Sequence, residues 1–196
     1  VTLLSRGVAI EQFRPEHRSH GLRAAWGAGP DDLVVMLVGR LAKEKNVGLV
    51  VAAFRAIQAR VPGARLVLVG DGPQRTVLEE SCPQAHFAGV RKDQDLAAHY
   101  ASADMFLFPS VTETFGNVVP EALASGLAVV AYDQAAAREL IVSGENGWLV
   151  PTGDDLAFVN AAVQVATDAS RVAQYGRAAV ASVAHRSWDS VYDSFV

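Results

Sequence analysis

The chain carries one cysteine, Cys82, so it can form no intrachain disulfide and no cysteine cluster for a metal. A single thiol suits a reducing compartment, and burial is its ordinary fate. There is no excess of basic residues. Seventeen Lys and Arg stand against 21 Asp and Glu, a net charge of −4, which argues against a broad surface for nucleic acid. No apolar run approaches the roughly 20 residues that a membrane span needs. The first residues, VTLLSRGVAIEQF, have neither an initiator methionine nor the pattern of a signal peptide. They read as the continuation of a longer chain. Three chemical signatures are missing as well: a full GxGxxG fingerprint, a Ser-His-Asp order and a metal-ligand cluster. His17 and His20 stand three apart in a basic segment with no carboxylate or cysteine set nearby, which disfavours a metal. His86, His99 and His185 read as structural or surface residues, and Trp26, Trp148 and Trp188 as packing.

What the chain does have is apolar patterning. Half of it, 51%, is hydrophobic and 19% is charged, a folded composition with length enough for one domain and a sizeable core. Short apolar runs at 33–38, 65–69, 85–90, 105–109, 127–132 and 147–150 read as buried strands. Between them lie helix-like stretches. Val47, Val50, Val51, Phe54, Ile57 and Val61 recur at steps of three and four, with Asn46 expected as N-cap and Pro62-Gly63 as the stop. Further helices are expected after Pro73 (placed at a first helical position), from Asp93 as a cap through Ala101, to about Ala124, near 135–142, and over 154–167 and 170–184. SGENGWLVP (143–151) reads as a tight turn feeding a strand. Repeated strand-helix alternation predicts an α/β fold, a single doubly wound, Rossmann-like domain with a mostly parallel sheet.

In such sheets ligands bind beyond the carboxyl ends of the strands. The polar and glycine-rich segments fall there: GRLAKEKN (39–46), GDGP (70–73), GVRKDQD (89–95), SVTETFGN (110–117) and YDQAAARE (132–139). Gly39 permits a turn and a close backbone approach, and Arg40 and Lys45 place two cations on one loop, suited to phosphate oxygens. A charged solvated loop would look the same. The stretch 110–126, SVTETFGNVVPEALASG, is more specific. Phe115-Gly116-Asn117 leads into a helix whose free N–H groups form an anion site, and Gly116 leaves that approach open. Pro120 is tolerated in the first turn. Glu121 lies in or near that turn, and an ionised carboxylate there only accepts hydrogen bonds. A ribose diol supplies the matching donors, and Glu113 faces sugar hydroxyls at the other end. Stabilisation of the helix dipole explains Glu121 equally well but leaves Glu113 and Gly116 unexplained.

Taken together these segments resemble the retaining glycosyltransferases of family four, in their nucleotide-sugar-binding C-terminal domain. The matching pieces are RGVAIEQFRP (6–15), VGRLAKEKN (38–46), LVLVGDGP (66–73), FAGV (87–90), 103–131 and LIVSGENGWLVPTGD (140–154). The E-x7-E signature of that family falls on Glu113 and Glu121. Within the family the chain looks most like bacterial GDP-mannose-dependent α-mannosyltransferases.

The resemblance implies the following. The fold is the C-terminal half of a GT-B glycosyltransferase, with residues 1–186 as the donor-binding domain and 187–196 as the start of the helix that crosses back to an N-terminal acceptor domain. Arg40 and Lys45 hold the donor diphosphate and, with Glu113 at the transferred sugar, form the catalytic set. Gly39, Phe115, Gly116, Asn117 and Val118 present backbone to sugar and phosphate, Glu121 binds the ribose, and Val90 meets the base, with Arg91, Lys92, Asp93 and Asp95 close by. The donor is a GDP- or UDP-linked sugar, with no metal and no other cofactor. The acceptor is a glycan or lipid-linked sugar, engaged through the domain this chain lacks, and nucleic acid is no partner. The implied location is cytoplasmic, with peripheral attachment of the full-length protein to the inner face of the membrane. A non-catalytic nucleotide-sugar-binding module and a GT-B-type epimerase or phosphorylase relative remain as alternatives. A dehydrogenase is disfavoured by the missing fingerprint. The isolated chain is expected to bind nucleotide weakly and to transfer no sugar. Turnover of a sugar nucleotide onto an acceptor by these 196 residues alone would refute that expectation.

Overall fold

A computed structural model describes residues 11–113 and 117–184 of the chain. Its centre is a six-stranded sheet in which every pairing is parallel: β1 (Val34–Val38), β2 (Arg65–Val69), β3 (His86–Gly89), β4 (Met105–Phe108), β5 (Ala128–Tyr132) and β6 (Gly147–Val150), in the order β3-β2-β1-β4-β5-β6. The expected "mostly parallel" sheet is wholly parallel among the described residues. The apolar runs are continuous because both faces are covered. Successive residues of β1 go to opposite sides. Val35 and Leu37 join one core with Leu66, Leu68 and Phe54, while Val34, Met36 and Val38 join the other with Phe106, Phe108 and Tyr100.

Eight helices flank the sheet: α1 (His20–Ala25), α2 (Val47–Gln58), α3 (Arg75–Ser81), α4 (Asp93–Ser102), α5 (Val118–Ala124), α6 (Ala135–Leu140), α7 (Asp155–Ala166) and α8 (Ala169–Val183). The three- and four-residue spacing in α2 does what periodicity predicts: Val47, Val50, Val51, Phe54 and Ile57 are buried, packing with Phe158, Ala162 and Val165 of α7. Asp154 and Asp168 cap α7 and α8, accepting from Ala157 and Arg171 backbone N–H groups. Among the described residues no helix is long and apolar enough to cross a membrane.

Several local expectations need correction. Asn46 is not a side-chain cap. It adopts a left-handed conformation (φ 51°, ψ 39°) between a 3-10 turn, Lys43–Lys45, and α2. Asp93 is likewise left-handed at the first residue of α4, with Lys92 in the cap position. Pro73 precedes α3 by two residues, and α6 stops at Leu140. The helix α1 went unanticipated, being short and without an apolar stripe. Cys82 is fully buried, and burial pushes its thiol upward. His99 is buried, while Trp26 packs in the core and Trp148 against it, as expected. The loop before β6 is structural: buried Asn146 donates to the Leu140 carbonyl and accepts from the Val142 N–H.

One half-buried carboxylate organises the amino ends of the central strands. Asp104, just before β4, accepts from the Val34 N–H at 2.8 Å and donates its own N–H to the Val34 carbonyl at 2.9 Å. Its carboxylate also meets Arg23 at 3.0 Å and Arg18 at 2.7 Å. The Arg23 side chain is 2% exposed. Its guanidinium also donates to the carbonyls of Ser102, Gly29, Pro30 and Asp32, tying α1 and the loop before β1 to the sheet. Removing one partner of a buried pair strands the other. We predict that Arg23→Met lowers stability by about 3 kcal/mol, read as a shift in the urea midpoint. A loss within about 0.5 kcal/mol would show the cluster to be dispensable.

Candidate functional site

The strand order reverses direction between β1 and β4, so the crevice of this sheet opens beyond their carboxyl ends. Gly39 and Arg40 follow β1, and Ser110 to Glu113 follow β4. The backbone joins the two loops across the gap, with the Val111 N–H donating to the Glu44 carbonyl at 3.1 Å. Lys45 Nζ forms a short ion pair with Glu113 Oε1, their side chains 19% and 12% exposed. The buried Ser110 hydroxyl donates to the same carboxylate oxygen at 3.0 Å. Lys45 Nζ also lies 5.8 Å from the centre of the Phe108 ring, a cation–π contact. From the β5 loop the Gln134 amide donates to the Ser110 carbonyl, so three loops converge on this pair.

The first loop is held in shape from the side. Gly39 N–H donates to Val69 O, Leu41 N–H to Asp71 O, and Gln74 N–H returns to Leu41 O. Gly70, at φ +130°, has Gly39 O only 1.9 Å from where a Cβ would stand. At Gly72 the Leu41 carbonyl oxygen would be 2.4 Å away. The GDGP segment is therefore a backbone cradle for the 39–42 loop, a role its glycines left unstated in the sequence. Among the described residues no atom lies within 4 Å of where a Cβ on Gly39 would stand. Arg40 is exposed, with only a loose 3.8 Å pair to Glu44. It shares a loop with Lys45 but does not touch the Lys45–Glu113 pair. Of the two cations on this loop, Lys45 already faces a carboxylate.

Glu121 lies in the first turn of α5, its N–H bonded to the Asn117 carbonyl. Asn117 itself is exposed and Val118 half-buried. The Tyr100 hydroxyl donates to Glu121 Oε2 at 3.0 Å. Burial pushes the Glu121 carboxyl from its ordinary 4.5 up to about 7, and the Tyr100 bond pulls it the other way. Val90 is 62% exposed beyond β3, on the same rim. Asp95 is engaged by Arg91 at 3.2 Å and by His99. Phe115 and Gly116, the proposed turn of the anion site, lie outside the described residues, as do 1–10 and the segment 187–196. Tyr100, Ser110 and Gln134 escaped sequence reasoning as site residues. Ser110 alone carried a signal, its place three residues before Glu113.

A groove of about 880 Å³ lies at the opposite edge, lined by Leu33, Pro62, Asp104, Gly126, Gly176 and Val180. It holds none of the candidate residues and sits at the amino ends of the strands. On topological grounds the carboxyl edge is the candidate site, and the candidate residues lie there.

With the geometry in place, similarity decides the family. A model described as "Glycosyl transferases group 1" matches residues 32–168, well over half of the chain. The chain belongs to that family. A protein of Mycobacterium tuberculosis named GDP-mannose-dependent alpha-mannosyltransferase is 40% identical over 98% of this group 1 chain and 49% of its own length. Sucrose-phosphate synthase from Thermosynechococcus elongatus superposes with a TM-score of 0.82 at 26% identity, covering 99% of this chain and 50% of that one. The Anabaena protein HepE, solved in complex with UDP-glucose, gives a TM-score of 0.80 at 25% identity over 96% and 54% of the two chains. The group 1 chain spans about half the length of the curated relatives it matches.

The raised carboxyl of Glu121 has a consequence for stability. Between about 4.5 and about 7 the folded chain holds a proton at Glu121 that the unfolded chain has released, so stability falls as pH rises through that window. We predict that Glu121→Gln is more stable than wild type by about 1–2 kcal/mol near pH 8, allowing for partial exposure, and that the gain shrinks toward about pH 5. Urea midpoints across pH check this. A variant less stable than wild type near pH 8 would contradict it.

Proposed function

We propose that the chain is the donor-binding part of a retaining hexosyltransferase, which moves a hexose from a nucleoside diphosphate sugar to a glycan or lipid-linked acceptor without a metal. The observation that carries this reading is the Lys45–Glu113 pair at the strand-order reversal, with Arg40 exposed beside it and Glu121 on the next element. A diphosphate entering the crevice offers Lys45 and Arg40 anionic oxygens, and the fork of Arg40 suits them. As the sugar-phosphate bond breaks, negative charge grows on the leaving diphosphate, and these cations stabilise it where it develops. Glu113, held by Lys45 and Ser110, has its carboxylate fixed before any sugar arrives, as an acceptor for sugar hydroxyls. It is not assigned as a nucleophile.

Glu121 accepts from the ribose diol, and Asn117 and Val118 offer backbone toward the phosphates. Exposed Val90 lies on the rim where the base would rest. The pair Glu113 and Glu121 is not the acid and base of a glycosidase, which would place both beside one scissile bond. GDP-mannose is the first donor to try, because the relatives at 35–40% identity carry that name. UDP-glucose is the second, from the Anabaena complex. Reaction in the cytoplasm, at the membrane face where the acceptor is lipid-linked, completes the reading.

A thermal-shift and calorimetric panel of GDP, UDP, ADP and their sugars tests it. GDP-mannose should bind, and Arg40→Ala and Glu121→Ala should each weaken it about tenfold, roughly 1.4 kcal/mol. Chelator should leave binding unchanged. If both variants bind every nucleotide as the wild type does, the site assignment is wrong.

A further inference from the structure

We propose that Tyr100 is the positioning residue of the donor site: its hydroxyl orients Glu121 and favours the ionised, acceptor-only form of that carboxyl group, which ribose hydroxyls require. The inference rests on the reading that Glu121 meets the ribose.

Tyr100 stands near the end of α4 and is fully buried. Phe13 meets its ring edge-on at 5.6 Å and Phe106 lies at 5.9 Å, so the ring is clamped and the hydroxyl has one address. That hydroxyl is 3.0 Å from Glu121 Oε2 and 3.5 Å from the Val118 carbonyl. A phenol has one proton, and the nearer, charged acceptor takes it. A neutral donor on a carboxylate favours the ionised form, whereas burial disfavours it, and at Glu121 the two oppose each other close to neutrality.

Among the described residues the charged groups near α5 that form ion pairs do so away from Glu121, and Asp93, Glu139 and Arg177 form none. The helix packs on α4, α6, α8 and β5. On those elements His99 is held by Asp95, Arg138 by Asp133, Arg171 by Asp168, and Tyr132 by Asp155. Among the described residues no Lys, Arg or His forms an ion pair with Glu121. Among the described residues the hydrogen bond from Tyr100 is the polar contact that opposes the effect of burial on this carboxyl. Because α4 follows the rim segment carrying Val90, the same helix links the base end of the site to the ribose end.

The probe is GDP-mannose, whose diphosphate is esterified at both ends and does not titrate near neutrality. Calorimetric titrations from about pH 5.5 to about pH 9 then report the protein's protons. Wild-type affinity should rise through about pH 7 and level off. In Tyr100→Phe the rise should move up by about one pH unit, so binding is about 3- to 10-fold weaker near pH 7 and equal to wild type near pH 9. A purely structural role would weaken binding equally at every pH, and that result, or an unshifted profile, would overturn the inference. Glu121→Gln should bind weakly with a flat profile. If it binds as the wild type does, the donor-site reading itself fails, and this inference with it. A second measurement needs no variant: in the ligand-free wild-type chain, the Tyr100 Cζ resonance should titrate with the midpoint of the Glu121 carboxyl carbon. Independent titrations would overturn the coupling.

Discussion

The contact on which the rest of this domain depends is the parallel pairing of β1 with β4, locked at its amino end by Asp104. Two strands about 70 residues apart in sequence are brought side by side, and their crossovers leave to opposite sides of the sheet. That divergence opens a crevice at the far end. A half-buried carboxylate at such a junction would be a liability alone. Here it accepts from a strand N–H and from two arginines, and one of these, Arg23, also donates to the carbonyls of Ser102, Gly29, Pro30 and Asp32, while its buried Nε has no partner among the described residues.

The carboxyl end shows the complementary arrangement. Each of the two acids is already engaged, but by different chemistry. Glu113 faces a cation and a hydroxyl. Among the described residues Glu121 faces one phenol, and burial pushes its carboxyl up toward neutrality. Acids of the same type, eight positions apart, thus stand in different surroundings because α5 turns one of them toward the core. An acid whose burial opposes stability is the kind of local conflict that binding sites carry.

Strands and the α2 face were legible because burial imprints continuous apolar runs and steps of three and four on the chain. Arg40, Lys45, Glu113 and Glu121 were legible because the alternation of strands and helices places them on one rim, and the resemblance to family four named them. Local backbone conformation was less readable. Asn is both a good cap and the residue, after glycine, that best tolerates the left-handed region, and at Asn46 the second property won. At Pro73 the close approach of Gly72 to Leu41 occupies the turn before the helix can begin.

By itself the sequence determined the class of fold, the edge of the sheet that gathers the candidate residues and the family, since each depends on patterns spread along the chain. The tertiary structure alone decided which groups meet. That Lys45 turns onto Glu113 rather than standing apart, that Gly70 and Gly72 shape the first loop, and that Tyr100 reaches Glu121 are all contacts between residues distant in sequence. Periodicity reports which face of an element is buried. It does not report which residue of another element lies opposite, and that neighbour works with burial on the charge of an acid such as Glu121.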